Sequence, residues 1–251
     1  MKFIIISDTH IKDENEPIYQ DILRLIEANA APQTALIFLG DIFDLFIGAK
    51  PVFINRYRLF FEALKKSNKN GTKIHYVEGN HDFLISKAFS DLPEVLVHER
   101  SFSEKIGDKR FYFSHGDLID QDDRGYLFLR SLLRSAPIRK IEPIVPGEMI
   151  DWIGRKSSEL SKKKRGGFEA VDPKNRDFLR TKYHTYAYDL FLNGYDYAVM
   201  GHCHDLDEKI YDLGSRKTQY INVGYPKKHG FYLEWNSGQE FVERRPLNSK
   251  K

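Results

Sequence analysis

The sequence predicts an α/β fold, because short apolar segments alternate with helical patterns along most of its 251 residues. Phe3–Ile6 is a continuous apolar run, as expected for a strand buried on both faces. Pro17–Ala28 then places Ile18 and Ile22 at helical spacing. A chain of this length with 41% hydrophobic residues can bury one large core. We therefore expect a single domain over residues 1–251.

The same two patterns predict the remaining elements in order. Short apolar runs predict strands at Ala35–Leu39, Ile74–Val77, Arg110–Phe113, Tyr197–Met200, Lys209–Tyr211, Thr218–Asn222 and Gly230–Trp235. Helical spacing of apolar residues predicts helices at Phe53–Lys65, Arg124–Ser135, Glu148–Lys164 and Pro173–Leu192. The last three helices fall between the fourth and fifth of the early strands, where we expect an insertion.

Five short polar clusters each follow one of the early strands. They are Asp8-Thr9-His10, Gly40-Asp41, Gly79-Asn80-His81-Asp82, Ser114-His115-Gly116-Asp117 and Gly201-His202-Cys203-His204. Loops at the carboxyl ends of strands converge in open α/β sheets, so we expect the clusters to meet. Their carboxylate, imidazole and amide donors suit Mn²⁺, with Fe²⁺ or Zn²⁺ as alternatives. The pattern predicts two divalent metal ions and metal-assisted hydrolysis of a phosphate ester.

Each of these residues has an ordinary structural explanation when it is taken alone. Asp8 could cap a helix or a turn, and Asn80 could occupy the left-handed position of a tight turn. His115 could be a half-buried histidine that only makes hydrogen bonds. All of the donors adopting such roles in series, each after a strand, is much less probable than one shared site.

The clusters resemble the pattern D-x-H, G-D, G-N-H-D, H-G and G-H-x-H of the calcineurin-like metallophosphoesterase superfamily. Every position of that pattern is filled between Asp8 and His204. The resemblance implies a β-sandwich flanked by helices, which agrees with the alternation of strands and helices. It also implies that the protein is an enzyme with two metal ions.

The same resemblance implies a role for each motif residue. One metal ion would be held by Asp8, His10 and His204 and the other by Asn80, His115 and His202, with Asp41 bridging the two. His81 would be catalytic rather than a ligand, and would stabilise the transition state or protonate the leaving group. Asp82 would orient His81.

A narrower resemblance concerns the substrate. Gly40–Gly48, Gly79–Leu84 and Asp122–Tyr126 are similar to segments of the UDP-2,3-diacylglucosamine diphosphatases. This similarity implies cleavage of the pyrophosphate of UDP-2,3-diacylglucosamine into lipid X and UMP, a step of lipid A biosynthesis. The implied substrate contacts are Asn80, Asp123, Lys162, Lys163, Lys164 and Arg165.

One position departs from the narrower resemblance. The best-known branch of that family has Arg after the metal-binding Asn, where this chain has His81. The histidine fits a second branch with the same substrate, and it fits equally a phosphoesterase that acts on another nucleotide or phosphodiester. A non-catalytic scaffold is the third alternative, but it would lack one or more ligands.

Length and charge together predict a helical cap insertion over residues 122–192. About ninety residues separate His115 from His202, more than a minimal scaffold needs. The stretch Arg124–Arg165 holds eleven Lys or Arg and four Asp or Glu, in a chain of net charge +3. Such a stretch suits an anionic head group, and its apolar residues suit a lipid tail, although a solvated helical face packed on the core would also explain both.

Composition favours a cytoplasmic enzyme. Cys203 is the only cysteine, so an internal disulfide is impossible and a reducing compartment fits. The chain starts with a strand rather than a signal-like apolar segment, and its apolar runs are too short to span a bilayer. The basic, apolar cap suggests contact with the surface of the inner membrane. We expect no nucleic acid partner, because aromatic residues are not interleaved with the basic run.

Overall fold

The computed structural model describes residues 1–92, 94–154, 156 and 173–247. The strands are β1 (Lys2–Ile6), β2 (Thr34–Phe38), β3 (Phe46–Ile47), β4 (Lys73–Val77), β5 (Asp82–Phe83), β6 (Val95–His98), β7 (Ser101–Ile106), β8 (Lys109–Ser114), β9 (Tyr197–Met200), β10 (Glu208–Asp212), β11 (Lys217–Asn222), β12 (Phe231–Asn236) and β13 (Glu243–Pro246). The helices are α1 (Pro17–Ala28), α2 (Pro51–Arg56), α3 (Arg58–Lys69), α4 (Arg124–Leu133), α5 (Ala136–Ile141), α6 (147–154), α7 (Pro173–Leu192) and α8 (Pro226–His229).

Two mixed sheets pack face to face at the centre of the molecule. The first has the strand order β13-β12-β1-β2-β4-β6, and the second has the order β10-β11-β9-β8-β7. Within them β1, β2 and β4 run parallel, as do β8, β9 and β11. The predicted α/β sandwich flanked by helices is confirmed.

The continuous apolar run of β1 is explained by its position between two cores. Phe3 and Ile5 point into the space between the sheets, where they join Phe111 and Phe113 of the second sheet. The alternate side chains of β1 point instead to the core beneath α1 and α3. Because both faces of this strand are buried, an alternation of polar and apolar residues is absent from it.

The insertion between β8 and β9 contributes to two parts of the molecule. Helix α7 packs on the outer face of the second sheet, where Tyr183, Ala187 and Phe191 cluster with residues of β9. The helices α4, α5 and α6 precede it, and two ion pairs tie this part to α2 and its N-terminus: Lys50–Glu142 at 3.1 Å and Arg56–Asp151 at 2.8 Å. The limits of a cap at 122–192 stay a prediction. Helix α7, although it lies within these limits, packs on the β-sandwich.

Two predicted helices differ from the structure. The single helix expected at Phe53–Lys65 is divided into α2 and α3 at Tyr57, which has a non-helical ψ of 29°. Tyr57 is buried, stacks on Phe43 at a centroid distance of 4.0 Å and donates a hydrogen bond to the carbonyl of Ile11 at 3.0 Å, so tertiary contacts fix the break. The helix predicted at Glu148–Lys164 begins as α6, and its later residues lie largely outside the described part of the chain.

Candidate metal centre

The five polar clusters meet beside the carboxyl ends of β1, β2, β4, β8 and β9. Five of the seven predicted ligands have left-handed backbone, with φ between 43° and 70°: Asp8, His10, Asp41, His202 and His204. Non-glycine residues adopt this conformation only where the surroundings enforce it, so the backbone itself is shaped around the site.

The first group of side chains consists of Asp8, His10 and His204, whose ligand-type atoms lie within 4.8 Å of one another. Nε2 of His204 is 3.2 Å from Oδ1 of Asp8 and 3.0 Å from Nε2 of His10. Two ring nitrogens at this distance need a proton or a cation between them. The backbone N–H of His202 donates to Oδ2 of Asp8 at 2.9 Å, which orients the carboxylate.

The second group lies around His115, which is fully buried. Its Nε2 is 3.0 Å from Oδ1 of Asn80, 3.2 Å from Nδ1 of His202 and 3.5 Å from Oδ2 of Asp41. The same Asp41 oxygen is 3.7 Å from Nε2 of His10 in the first group. One carboxylate oxygen thus lies between the two groups.

The donor set fits divalent cations. Nδ1 of His115 donates to the carbonyl of Leu39 at 2.7 Å, so Nε2 is the atom turned towards the other donors. A second hydrogen bond of this kind is what orients ligating histidines in metalloproteins. With Asp41 shared, the first group offers two carboxylates and two imidazoles, and the second offers a carboxylate, an amide and two imidazoles. These oxygen and nitrogen donors suit Mn²⁺, Fe²⁺ or Zn²⁺.

The pKa values of the buried groups show where positive charge is favoured. Burial opposes a charge on His115, but the nearby carboxylate of Asp41 outweighs it and raises the pKa of His115 to about 10. Burial also disfavours an ionised Asp41, yet His115 and His81 hold its pKa well below the usual range. Asp41 therefore stays ionised, and its surroundings favour a positive charge at the point where the two groups meet.

His81 and Asp82 have different partners from those predicted. Nδ1 of His81 donates to the backbone carbonyl of Asp44 at 2.8 Å, which fixes the ring. The two carboxylate oxygens of Asp82 accept instead from the backbone N–H groups of Asp41 and Ile42 at 2.9 and 2.8 Å. The interpretation that Asp82 orients His81 is corrected: Asp82 holds the loop that carries Asp41.

Helix α4 braces the centre with residues that sequence reasoning missed. Tyr126 and Arg130 both donate to Oδ2 of Asp117, and the Arg130 contact is 2.6 Å long. One turn further, Arg134 donates to the carbonyl of Gly79 at 2.7 Å, next to Asn80. The spacing of four residues between Tyr126, Arg130 and Arg134 is a signal that could have identified this inner face of the helix.

The predicted substrate contacts fall into three cases. Asn80 lies in the second group of donors. Asp123 is exposed and caps α4, because its Oδ1 accepts from the N–H of Tyr126 at 2.9 Å. The basic run Lys162, Lys163, Lys164 and Arg165 lies outside the described residues.

The cap exposes large apolar side chains. Ile144 is 81% exposed, Phe128 71% and Trp152 58%. Solvent-exposed apolar surface of this kind commonly marks a binding site. Among the helices of the described ranges, none is both long and apolar enough to pass through a lipid bilayer.

Known proteins resemble this chain in sequence. A UDP-2,3-diacylglucosamine hydrolase from Psychromonas ingrahamii is 23% identical over 99% of both chains. Another from Pseudomonas putida is 31% identical, and the match spans 53% of this chain and only 55% of that relative. A solved structure of an archaeal phosphodiesterase is 14% identical, with a TM-score of 0.47 over 98% of this chain and 99% of its own.

The family model of the calcineurin-like phosphoesterases matches residues 1–206, which include all five clusters. The match covers well over half of the 251 residues. The chain belongs to the calcineurin-like phosphoesterase family and is a hydrolase.

Proposed function

We propose that this protein is a dinuclear-metal phosphoesterase that hydrolyses the pyrophosphate of UDP-2,3-diacylglucosamine to lipid X and UMP, a step of lipid A biosynthesis. The observation that carries the metal part is the position of Asp41, whose Oδ2 is 3.7 Å from Nε2 of His10 and 3.5 Å from Nε2 of His115. A single oxygen near both donor groups is what a bridging ligand requires.

The proposed ligands divide as the geometry groups them. Asp8, His10 and His204 would hold one ion and Asn80, His115 and His202 the other, with Asp41 shared. Bound there, two divalent ions, in our proposal Mn²⁺, would supply Lewis-acid activation of water and of the phosphoryl group. The hydrogen bonds from His202 N to Asp8 and from His115 to Leu39 keep the donor atoms directed inward.

His81 is the proposed acid or transition-state stabiliser. Its Nδ1 is engaged by the carbonyl of Asp44, so Nε2 is the ring atom left to donate a proton or a hydrogen bond to the leaving-group oxygen. Its ring meets that of His10 edge to face, with centroids 4.8 Å apart. His81 thus lies beside the donor groups, and the backbone of Asp44 holds its ring.

The substrate is inferred from the cap and from the relatives. The exposed apolar residues of the cap, among them Ile144 and Trp152, suit acyl chains. Asp123 and the basic residues Lys162, Lys163, Lys164 and Arg165 stay proposed contacts for the polar part. The names of the relatives from Psychromonas ingrahamii and Pseudomonas putida give the same substrate. An acylated nucleotide sugar also motivates the proposal of a cytoplasmic enzyme that touches the inner membrane, which sedimentation with anionic liposomes tests.

The test is hydrolysis of UDP-2,3-diacylglucosamine with Mn²⁺, followed as UMP release, in wild type and His81→Ala. Bis-p-nitrophenyl phosphate is assayed in parallel as a substrate without acyl chains. We expect UMP release by wild type and a loss of about 100-fold in the variant, the usual size of a general acid contribution. Absence of turnover of either substrate would overturn the assignment in favour of a non-catalytic scaffold.

A second candidate is a phosphoesterase for another nucleotide or phosphodiester. His81 favours it, because the best-known diphosphatase branch has Arg at this position. In the same experiment, turnover of bis-p-nitrophenyl phosphate without UMP release would support this alternative. The proposed dinuclear centre would stand, and only the substrate would be wrong.

A further inference from the structure

The segment after β11 lies against the first group of ligands. The ring of Tyr225 stacks on that of His204, with centroids 4.8 Å apart and planes 7° from parallel. It also meets the ring of His10 edge to face at 6.2 Å. One aromatic side chain therefore contacts two of the proposed ligands.

Local hydrogen bonds fix the backbone on both sides of Tyr225. Its N–H donates to Nδ1 of His229 at 3.0 Å, across the short helix that starts at Pro226. The preceding Gly224 has a φ of 85°, and its N–H donates to Oδ1 of Asn222 at 3.0 Å. The position of the tyrosine ring thus depends on a preformed turn.

The segment after β11 also makes hydrogen bonds to both loops that carry the first group of proposed ligands. The ammonium of Lys227 donates to the backbone carbonyl of His10 at 2.7 Å and pairs with Glu16. The amide of Asn222 donates to the carbonyl of Gly201 at 2.8 Å, one residue before His202. Residues 222–229 thus touch the loop after β1 and the loop after β9 together.

Ligating imidazoles bind a metal ion well only when their ring planes are held. The carbonyl of Leu39 holds the ring of His115, and the N–H of His202 holds the carboxylate of Asp8 in the same way. For His204 the stacked ring of Tyr225 supplies a plane against which the imidazole is set, and it shields that face from water.

We propose that Tyr225 is a positioning residue for the metal ion held by Asp8, His10 and His204. The proposal rests on the dinuclear function proposed above and adds to it an element beyond residues 1–206, where the family match ends. The proposed role belongs to the aromatic ring of Tyr225, which acts through the plane of the His204 ring.

The test is equilibrium dialysis with Mn²⁺ of wild type, Tyr225→Phe and Tyr225→Leu, which measures stoichiometry and affinity without any turnover. We expect two ions in wild type and in Y225F, and about 10-fold weaker binding of one ion in Y225L. Tyr188→Leu is the matched control, because Tyr188 lies on α7 and is 40% exposed. It should bind both ions as wild type does.

His204→Ala separates this inference from the function on which it rests. One ion lost in H204A together with unchanged affinities in Y225L overturns the role of Tyr225 and leaves the dinuclear centre standing. Failure of wild type to bind two ions overturns both. Should thermal unfolding show that Y225L is not folded, Tyr225→Met takes its place, because its flexible side chain fills more of the space without an aromatic plane; weaker binding of one ion is expected, and unchanged binding would contradict the proposal.

Discussion

The metal centre and the cap differ in how far their side chains are exposed to solvent. Asp8 and His115 are fully buried, and each is held by a hydrogen bond from or to a neighbouring backbone group. In the cap, Ile144 and Phe128 are 81% and 71% exposed. Under the proposed function, the reaction would depend on the buried scaffold, and the exposed apolar surface of the insertion would select the substrate. Three predictions test that division, and a fourth concerns a histidine pair outside both regions.

The largest effect is expected at the residue that the two donor groups share. Asp41→Asn removes the charge near both groups but keeps the shape of the side chain. Hydrolysis of bis-p-nitrophenyl phosphate with Mn²⁺ should fall roughly 1,000-fold, the upper range for loss of one electrostatic contact in an active site. The exposed Asp91→Asn is the control and should retain activity. A D41N enzyme within tenfold of wild type would contradict the shared role.

The inner face of α4 is an exception to this division. It belongs to the insertion, but its side chains contact the loops of the metal centre. Arg130→Met leaves the carboxylate of Asp117 buried without its 2.6 Å ion pair, in which the two side chains are only 7% and 3% exposed. The free energy of unfolding should fall by about 3 kcal/mol, as measured by urea denaturation. The exposed Arg124→Met at the start of the same helix should be neutral. An R130M variant as stable as wild type would show that α4 does not support the metal centre and behaves only as part of the cap.

A histidine pair outside both regions should contribute to the acid sensitivity of the fold. Burial and the neighbouring His98 lower the pKa of His75 from 6.5 to about 4. His75 stacks on Phe102 at 4.4 Å and bonds to His98 at 3.1 Å. Because the unfolded chain binds the proton more readily, this contribution is complete above pH 6.5 and is lost as the pH falls towards 4.

Urea denaturation of the metal-free protein at several pH values measures this effect. Stability should drop by about 2 kcal/mol between pH 6.5 and 4 in wild type, and by less in His75→Phe. If the pH dependence of stability is unchanged in H75F, His75 does not contribute to it, and the buried groups of the metal centre become its expected source.

The smallest effect is expected on the outer surface of the cap. Ile144→Ser should raise KM for UDP-2,3-diacylglucosamine about 10-fold, the cost of losing the apolar contact of one side chain. Turnover of bis-p-nitrophenyl phosphate should stay as in wild type. Leu192→Ser is the matched control, since Leu192 is 65% exposed on α7, the helix that packs on the second sheet. Equal losses on both substrates would show that the cap and the centre are not separable.

Local patterns predicted most of the fold, and contacts between distant residues account for the rest. The bounds of α1 and α7 agree with prediction, and in both a proline opens the helix. The break at Tyr57 was not predictable, because it depends on packing against Phe43. The strands β3, β5, β6, β7 and β13 were missed. The first two have only two residues each, and β6, β7 and β13 are edge strands in which exposed and half-buried residues dilute the apolar signal.

The predicted donors of the metal centre come together, but their local geometry was outside the reach of sequence reasoning. Glycine is a clear signal of a positive φ, whereas aspartate and histidine, as at Asp8 and His10, are only weak ones. Contacts such as the 3.0 Å hydrogen bond from Asp8 N to the carbonyl of Gly40 impose their conformation. The partners of Asp82 were likewise not predictable, because they are backbone N–H groups of the loop after β2, whose conformation depends on the tertiary structure.

The left-handed backbone of the proposed ligands would place stability and function in direct conflict. Glycine adopts this backbone at no steric cost, but it has no side chain with which to bind a metal ion. Selection for thermal stability alone would thus favour glycine at Asp8, Asp41 or His202, each of which carries strain of about 1–3 kcal/mol. The variants that fold best at these positions would be inert, and a program of stabilisation for this enzyme has to leave its most strained residues untouched.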